Sequence, residues 1–156
     1  MLRYKAVQPH HYAILELLPD SNTNETRTVV DSDHARYRAD KVFVLDIIDV
    51  FNEQNHLKES FSWHMRGFKY KVGEICSVND FNHAIENICT TGIHYFKTKE
   101  AAISFCVENK CLNMIHSWPK NKEFKIWGPD GTLMFHWSKI ENTDWFSNNV
   151  IFKKSQ

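Results

Sequence analysis

Apolar and polar residues alternate over most of this chain with the two-residue period of half-buried strands, and the period changes to helical spacing in one place. "RYKAV" and "YAILELL" read as a first pair of short strands, separated by the turn-like "QPHH" around Pro9. Residues 19–28, "PDSNTNETRT", are polar throughout and predict a mobile loop. "KVFVLDIIDVF" follows, rich in β-branched residues and long enough for a strand buried on both faces, until "NEQNHLKE" breaks it. "SFSWHM" and "FKYKV" alternate aromatic with polar residues around Gly67 and predict two half-buried strands of a hairpin. "GEICSVNDFNHAIENIC" has no clean period.

In "GIHYF", Ile93 and Tyr95 face one way while His94 and Phe96 face the other. Thr98 then stands where an N-cap belongs, and Glu100 lies in the first turn, where a carboxylate meets the positive end of a helix dipole. "KEAAISFCVENK" brings Ala102, Phe105 and Cys106 to helical spacing, so a helix is predicted over about 98–110. Gly92, just before the strand, suits a positive φ or a close backbone approach. Near the end, "EFKIWGPDGTLMFHW" is a hairpin signal: two alternating runs joined by Pro-Asp-Gly. Phe124 and Ile126 share a face with Leu133, Phe135 and Trp137 on the return, and "DWFSNNVIF" adds a possible last strand. The pattern predicts an α+β protein, mainly antiparallel sheet with few helices. It divides into an α+β domain over residues 1–112 and a β-hairpin extension over 113–156 packed on it, the two expected to form one structural unit.

Composition narrows the function more than the fold. The formal net charge is zero, which argues against a general nucleic-acid binder or a polybasic membrane adapter. Trp118, Trp127, Trp137 and Trp145, with Lys120, Lys122, Lys125 and Lys139, suggest a stacking surface for nucleic acid. The nearby Glu123, Asp130, Glu141 and Asp144 dilute that charge, and sheet core is the better use of these rings. No apolar run reaches the length of a membrane span, and the opening "MLRYKAVQPHHY" does not read as a signal peptide. The four cysteines, Cys76, Cys89, Cys106 and Cys111, are therefore expected as reduced thiols in an intracellular protein.

Cys89, His94, Cys106 and Cys111 offer zinc's preferred ligand types, but no C-x-x-C knuckle occurs and no metal is expected. Cys89 and His94, five residues apart, are the candidate nucleophile and base, with no evident orienting group or oxyanion donor. The expected role of this pair is structural, a thiol beside a histidine that tethers the strand end. Asp46 and Asp49 flank isoleucines and are expected at solvent or an edge. Glycine-rich phosphate loops are absent, so no cofactor is expected.

Three resemblances add to this. "AILELLPDSNTNETRTVVDSDHARYRADKVFVLDI", "FKYKVGEI" and "DFNHAIENICTTGIHYFKTKEAAISF" together resemble an uncharacterised domain family of large DNA viruses, often found beside pentapeptide repeats. The Cys89-to-Ala102 stretch is the most specific part. The chain departs from that pattern at "HARYRA", where such domains tend to carry a basic pair with cysteine. "FKIWGPDGTLMFH" is similar to a MORN-type hairpin, which must pack on a neighbour to bury its face. These resemblances imply a non-enzymatic interaction or structural module of the host cytoplasm or virion, with a viral or host protein as partner. A third resemblance, to ADP-ribosyltransferase-like folds, rests on Arg3, Tyr4, Gly92, Ile93 and Tyr95, with Ser60 and Ser62 on an optional middle strand. It would make the protein an enzyme or domain that binds nicotinamide dinucleotide, with Glu123 or Glu141 as the catalytic acid.

Overall fold

The computed structural model describes residues 1–138. Its elements in chain order are β1 (Leu2–Val7), β2 (His11–Leu17), β3 (Arg36–Ala39), β4 (Lys41–Asp49), β5 (Glu59–Phe61), β6 (Lys69–Lys71), β7 (Ile75–Ser77) and β8 (Ile93–Phe96). Helix α1 (Lys99–Lys110) follows, then a 3-10 helix (Leu112–Ser117), β9 (Glu123–Trp127) and β10 (Leu133–Ser138). The main sheet has the order β3-β8-β1-β2-β4-β7, and every neighbouring pair is antiparallel. Two small ladders, β5–β6 and β9–β10, complete an α+β fold dominated by antiparallel sheet.

Both faces of the sheet are covered, so side chains pointing either way from its central strands are buried, as Tyr12 and Ala13 of β2 show. One core gathers Tyr12, Ile48, Ile103, Val107, Phe124 and Trp137 between the sheet, α1 and the β9–β10 hairpin. The other gathers Leu15, Val44, Ile47, Tyr37, Tyr70 and Tyr95 on the opposite face. Each fully buried side chain of this size contributes about 1.5–3 kcal/mol. Helix α1 starts as predicted: the Thr98 hydroxyl accepts from the Ala101 amide at 3.3 Å, and Glu100 occupies the first turn. Four of its buried residues, Ala101, Ala102, Ser104 and Cys106, are small and let the helix lie close to the sheet, while Ile103 and Val107 fill the core.

Several expectations need correction. "SFSWHM" does not continue as a strand, because the Ser62 hydroxyl accepts from the His64 and Met65 amides and turns the chain at once. Residues 19–28 form no regular element, yet they are tied down by their polar side chains. Asn24 accepts from the Arg38 amide at 2.9 Å, and Arg27 donates to the carbonyls of Arg36 and Pro129 at 2.7 and 2.8 Å. Asp49 is buried rather than solvent-facing, accepting from the Phe51 amide at 2.8 Å and paired with His10 at 3.3 Å. Leu133 is half exposed, because a register shift between Leu133 and Phe135 rotates it out of the face shared by Phe135 and Trp137. The segment "DWFSNNVIF", with Glu141 and Trp145, lies outside the described residues.

The β9–β10 hairpin docks through its turn. The Asp130 carbonyl accepts from the Val30 and Asp31 amides, and the Pro129 carbonyl accepts from the Arg36 amide at 2.9 Å. Gly131 has φ +87°, and a Cβ there would lie 2.1 Å from the Asp31 carbonyl oxygen, so only glycine fits.

Candidate functional site

The ladder between β1 and β8 holds one register pair, Tyr4 with Phe96. Beyond it the Lys5 ammonium, instead of a backbone amide, donates to the His94 carbonyl at 2.8 Å. Where these strands part, a cavity of about 330 Å³ opens. Ala6, Trp63, Met65, Phe96 and Phe105 supply its apolar walls. Its polar lining comes from Lys5, Arg36, Ser62, His64, His94 and the residues 89–91, without one carboxylate.

Each wall has an identifiable cause. Phe96 and Phe105 pack with ring centroids 5.5 Å apart, and the Arg36 guanidinium lies 5.9 Å from the Phe105 ring. Trp63 is set by the Ser62 turn, and the Lys110 ammonium lies 5.0 Å from its ring. The rim that carries Cys89, Thr90 and Thr91 is held from behind by Arg38, which is fully buried. Its guanidinium donates to the carbonyls of Asn82, Ala84, Asn87 and Thr91 and lies 4.8 Å from the Phe81 ring. A planar fork with five donors can gather a loop in this way, and an ammonium cannot. Gly92 satisfies both conditions expected of it, with φ +149° and a notional Cβ only 3.0 Å from Arg38 Cβ.

The electrostatics are lopsided. Burial, with the nearby Arg36 charge adding to it, pulls the Lys5 ammonium down to about 7. Burial also lowers His94, to about 4, although its hydrogen bond to the Thr90 carbonyl at 2.8 Å works the other way. His64 is lowered by burial and by Lys110, Lys5 and Arg36. Arg36 donates to Cys89 Sγ at 3.1 Å, and its Nε, like Trp63 Nε1, is a buried donor that meets no acceptor among the described residues.

Cys89 and His94 therefore share one cavity, but each holds a different partner: Arg36 for the thiol, the Thr90 carbonyl for the imidazole. The other proposed set divides. Arg3 and Tyr95 meet at Glu25, where Arg3 donates through Nε and Nη2 at 2.9 Å each and the Tyr95 hydroxyl donates to the same carboxylate. Gly92 lies at the cavity instead. Ser60 donates to the Gln8 carbonyl, and Ser62 lines the cavity. Glu123 is paired on the hairpin with Lys125 and His136. Cys106 and Cys111 are buried with Sγ atoms 4.0 Å apart, and neither lines the cavity. Their contact, then burial, pushes the Cys106 thiol up. Among the described residues no three His, Cys, Asp or Glu side chains are placed to hold a metal. Trp118 and Trp137 are core residues, and Trp127 stacks on His34 at 4.1 Å. No helix among the described residues is long and apolar enough to cross a membrane.

Sequence reasoning singled out Cys89, Gly92 and His94 but missed Lys5 and Arg36. The available signal was charge at inward positions, Lys5 in the Arg3-Lys5-Val7 alternation and Arg36 at the start of "RYRA".

A family model described as "Family of unknown function (DUF5758)" matches residues 1–102. That span includes every cavity-lining residue but Phe105. No curated protein matches the chain. No solved structure matches it either.

Proposed function

This chain belongs to the DUF5758 family, whose function is unknown, and we propose that it is a non-enzymatic recognition module binding a small organic ligand between β1 and β8. The observation that carries this reading is the cavity itself. Its volume of about 330 Å³ falls at the lower end of the ~300–1,000 Å³ usual for ligand sites, with apolar walls and a few converging polar groups. Binding is favoured over thiol chemistry because Cys89 and His94 hydrogen-bond to different groups. A fragment screen by thermal shift tests it: millimolar aromatic fragments raise the melting temperature of the protein, and Met65→Trp, which fills the cavity from its wall, abolishes the rise. Fragments that stabilise both proteins equally, or neither, would sink the reading.

The wider setting we propose is a large DNA virus, with the protein in the host cytoplasm or the virion and in contact with a viral or host protein. It rests on the resemblance, as does the MORN-like character of the hairpin. Leu133 and Met134, 51 % and 67 % exposed on β10, favour such a contact. Affinity capture from infected cells is expected to return one reproducible partner that a Leu133→Ser/Met134→Ser variant loses; no such partner would count against it. The enzyme alternative predicts that nicotinamide dinucleotide raises the melting temperature and that Arg3→Ala removes the effect. The engagement of Arg3 by Glu25 disfavours it.

A further inference from the structure

Resting on the cavity reading above, we infer that the ligand is an organic anion, a flat apolar body bearing a carboxylate or phosphate, with the anionic group held by Lys5 and Arg36. Three observations converge on this class. The lining contains two cationic side chains and two imidazoles but no carboxylate, in a chain whose formal net charge is zero. Lys5 is 6 % exposed, and its hydrogen bond goes to a neutral carbonyl; no ion pair forms between Lys5 or Arg36 and a carboxylate among the described residues. Burying a cation without a counter-charge is costly, so an anion entering here relieves strain already present in the folded protein. The walls then define the rest of the molecule. Phe96, Phe105 and the Trp63 indole flank the space, and rings of this kind bury a planar apolar body well.

The pH response follows from the groups around Lys5. Arg36 faces it from β3, His94 from β8 and the Tyr70 ring from β6, 5.7 Å from the ammonium, while His64 in the turn after β5 and Lys110 of α1 belong to the same positive field. His94 is held neutral above pH 5, so it adds no standing charge. Lys5 loses its proton as pH rises through about 7 in the empty cavity, and a bound anion holds that proton on. Anion affinity therefore falls from pH 6 to pH 9, with proton uptake on binding at the upper end.

The test compares two probes of one shape, 1-naphthoate and the neutral 1-naphthamide, by titration calorimetry on the full chain. Naphthoate is expected to bind at least tenfold more tightly at pH 6, with the ratio shrinking toward pH 9 and in high salt. Lys5→Met and, independently, Arg36→Gln are each expected to weaken naphthoate far more than naphthamide and so bring the ratio toward one. The Arg36 variant keeps the test alive if the Lys5 variant folds poorly. Equal or tighter binding of the amide, or a ratio indifferent to both substitutions, overturns the anion inference and leaves the cavity reading standing. Failure of both probes, when other fragments bind and Met65→Trp blocks them, also overturns it; failure of every probe removes both readings.

Discussion

Arg3 and Lys5 stand two residues apart on one face of β1, each 6 % exposed, and the fold treats them in opposite ways. Arg3 meets a carboxylate through two donors, with the Tyr95 hydroxyl and Lys97 completing the cluster around Glu25. Burial lowers the Arg3 guanidinium and raises the Glu25 carboxyl, and the mutual hydrogen bonds and attraction outweigh it on both sides. Lys5 has a carbonyl for a partner, and burial wins. A buried charge with its counter-ion in place is part of the scaffold, whereas one without is destabilising until something else arrives. Stability given up at one position while a neighbour of the same strand is fully compensated is the usual mark of a site kept for binding.

The sharpest way to break this comparison is to remove both charges in turn. Arg3→Met leaves the Glu25 carboxylate with only Lys97 and the Tyr95 hydroxyl and should cost about 3 kcal/mol by urea denaturation. A loss under 1 kcal/mol would mean that Arg3 is no more structural than Lys5. Gly92→Val comes next, at about 2 kcal/mol, from a strained positive φ and the push against Arg38 Cβ, and it should also abolish fragment binding by displacing the rim. Normal melting of that variant would refute the backbone inference. Lys5→Met is expected to stabilise the protein by about 1 kcal/mol at pH 6, the lost bond to the His94 carbonyl offsetting part of the relief. The gain should shrink between pH 7 and pH 10: the folded Lys5 ammonium titrates below its unfolded value, so the wild type gains stability as pH rises through that window. The smallest effect lies on the acid side. Glu25, held below its ordinary value, contributes stability that is present above the unfolded carboxylate pKa and lost as pH falls through the folded one, and Arg3→Met should flatten that limb.

Much of the architecture was legible because it repeats local rules. The short apolar runs of β1 and β2, the long β-branched run of β4, the Thr98 cap and the Pro-Asp-Gly turn each announce one conformation. β3 and β7 were not recognised, since "RYRA" and "ICS" are too short for a period to stand out, and arginines occupy one face of β3. Loop 19–28 looked unanchored because its contacts are made by Asn24, Glu25 and Arg27, residues whose usual place is in water. The site was half readable. Cys89, Gly92 and His94 lie next to each other in the chain, while the partners that give them meaning, Lys5, Arg36 and Trp63, come from three other segments that only the strand order brings together. Charged residues at inward positions of a strand were the warning, and in β1 two of them mean different things.

The contact of the β9–β10 turn with the start of β3 ties this hairpin to the cavity between β1 and β8. Pro129 clasps the backbone of Arg36, the residue whose side chain walls that cavity, so the hairpin acts as a tether on one of its two cations. A load applied to β10, by a docking protein or by a crosslink, would be transmitted along two strands to the grip on a bound molecule. Shortened versions of this protein that stop after α1 should accordingly hold the proposed ligand less firmly, though Lys5 and Arg36 are both still present.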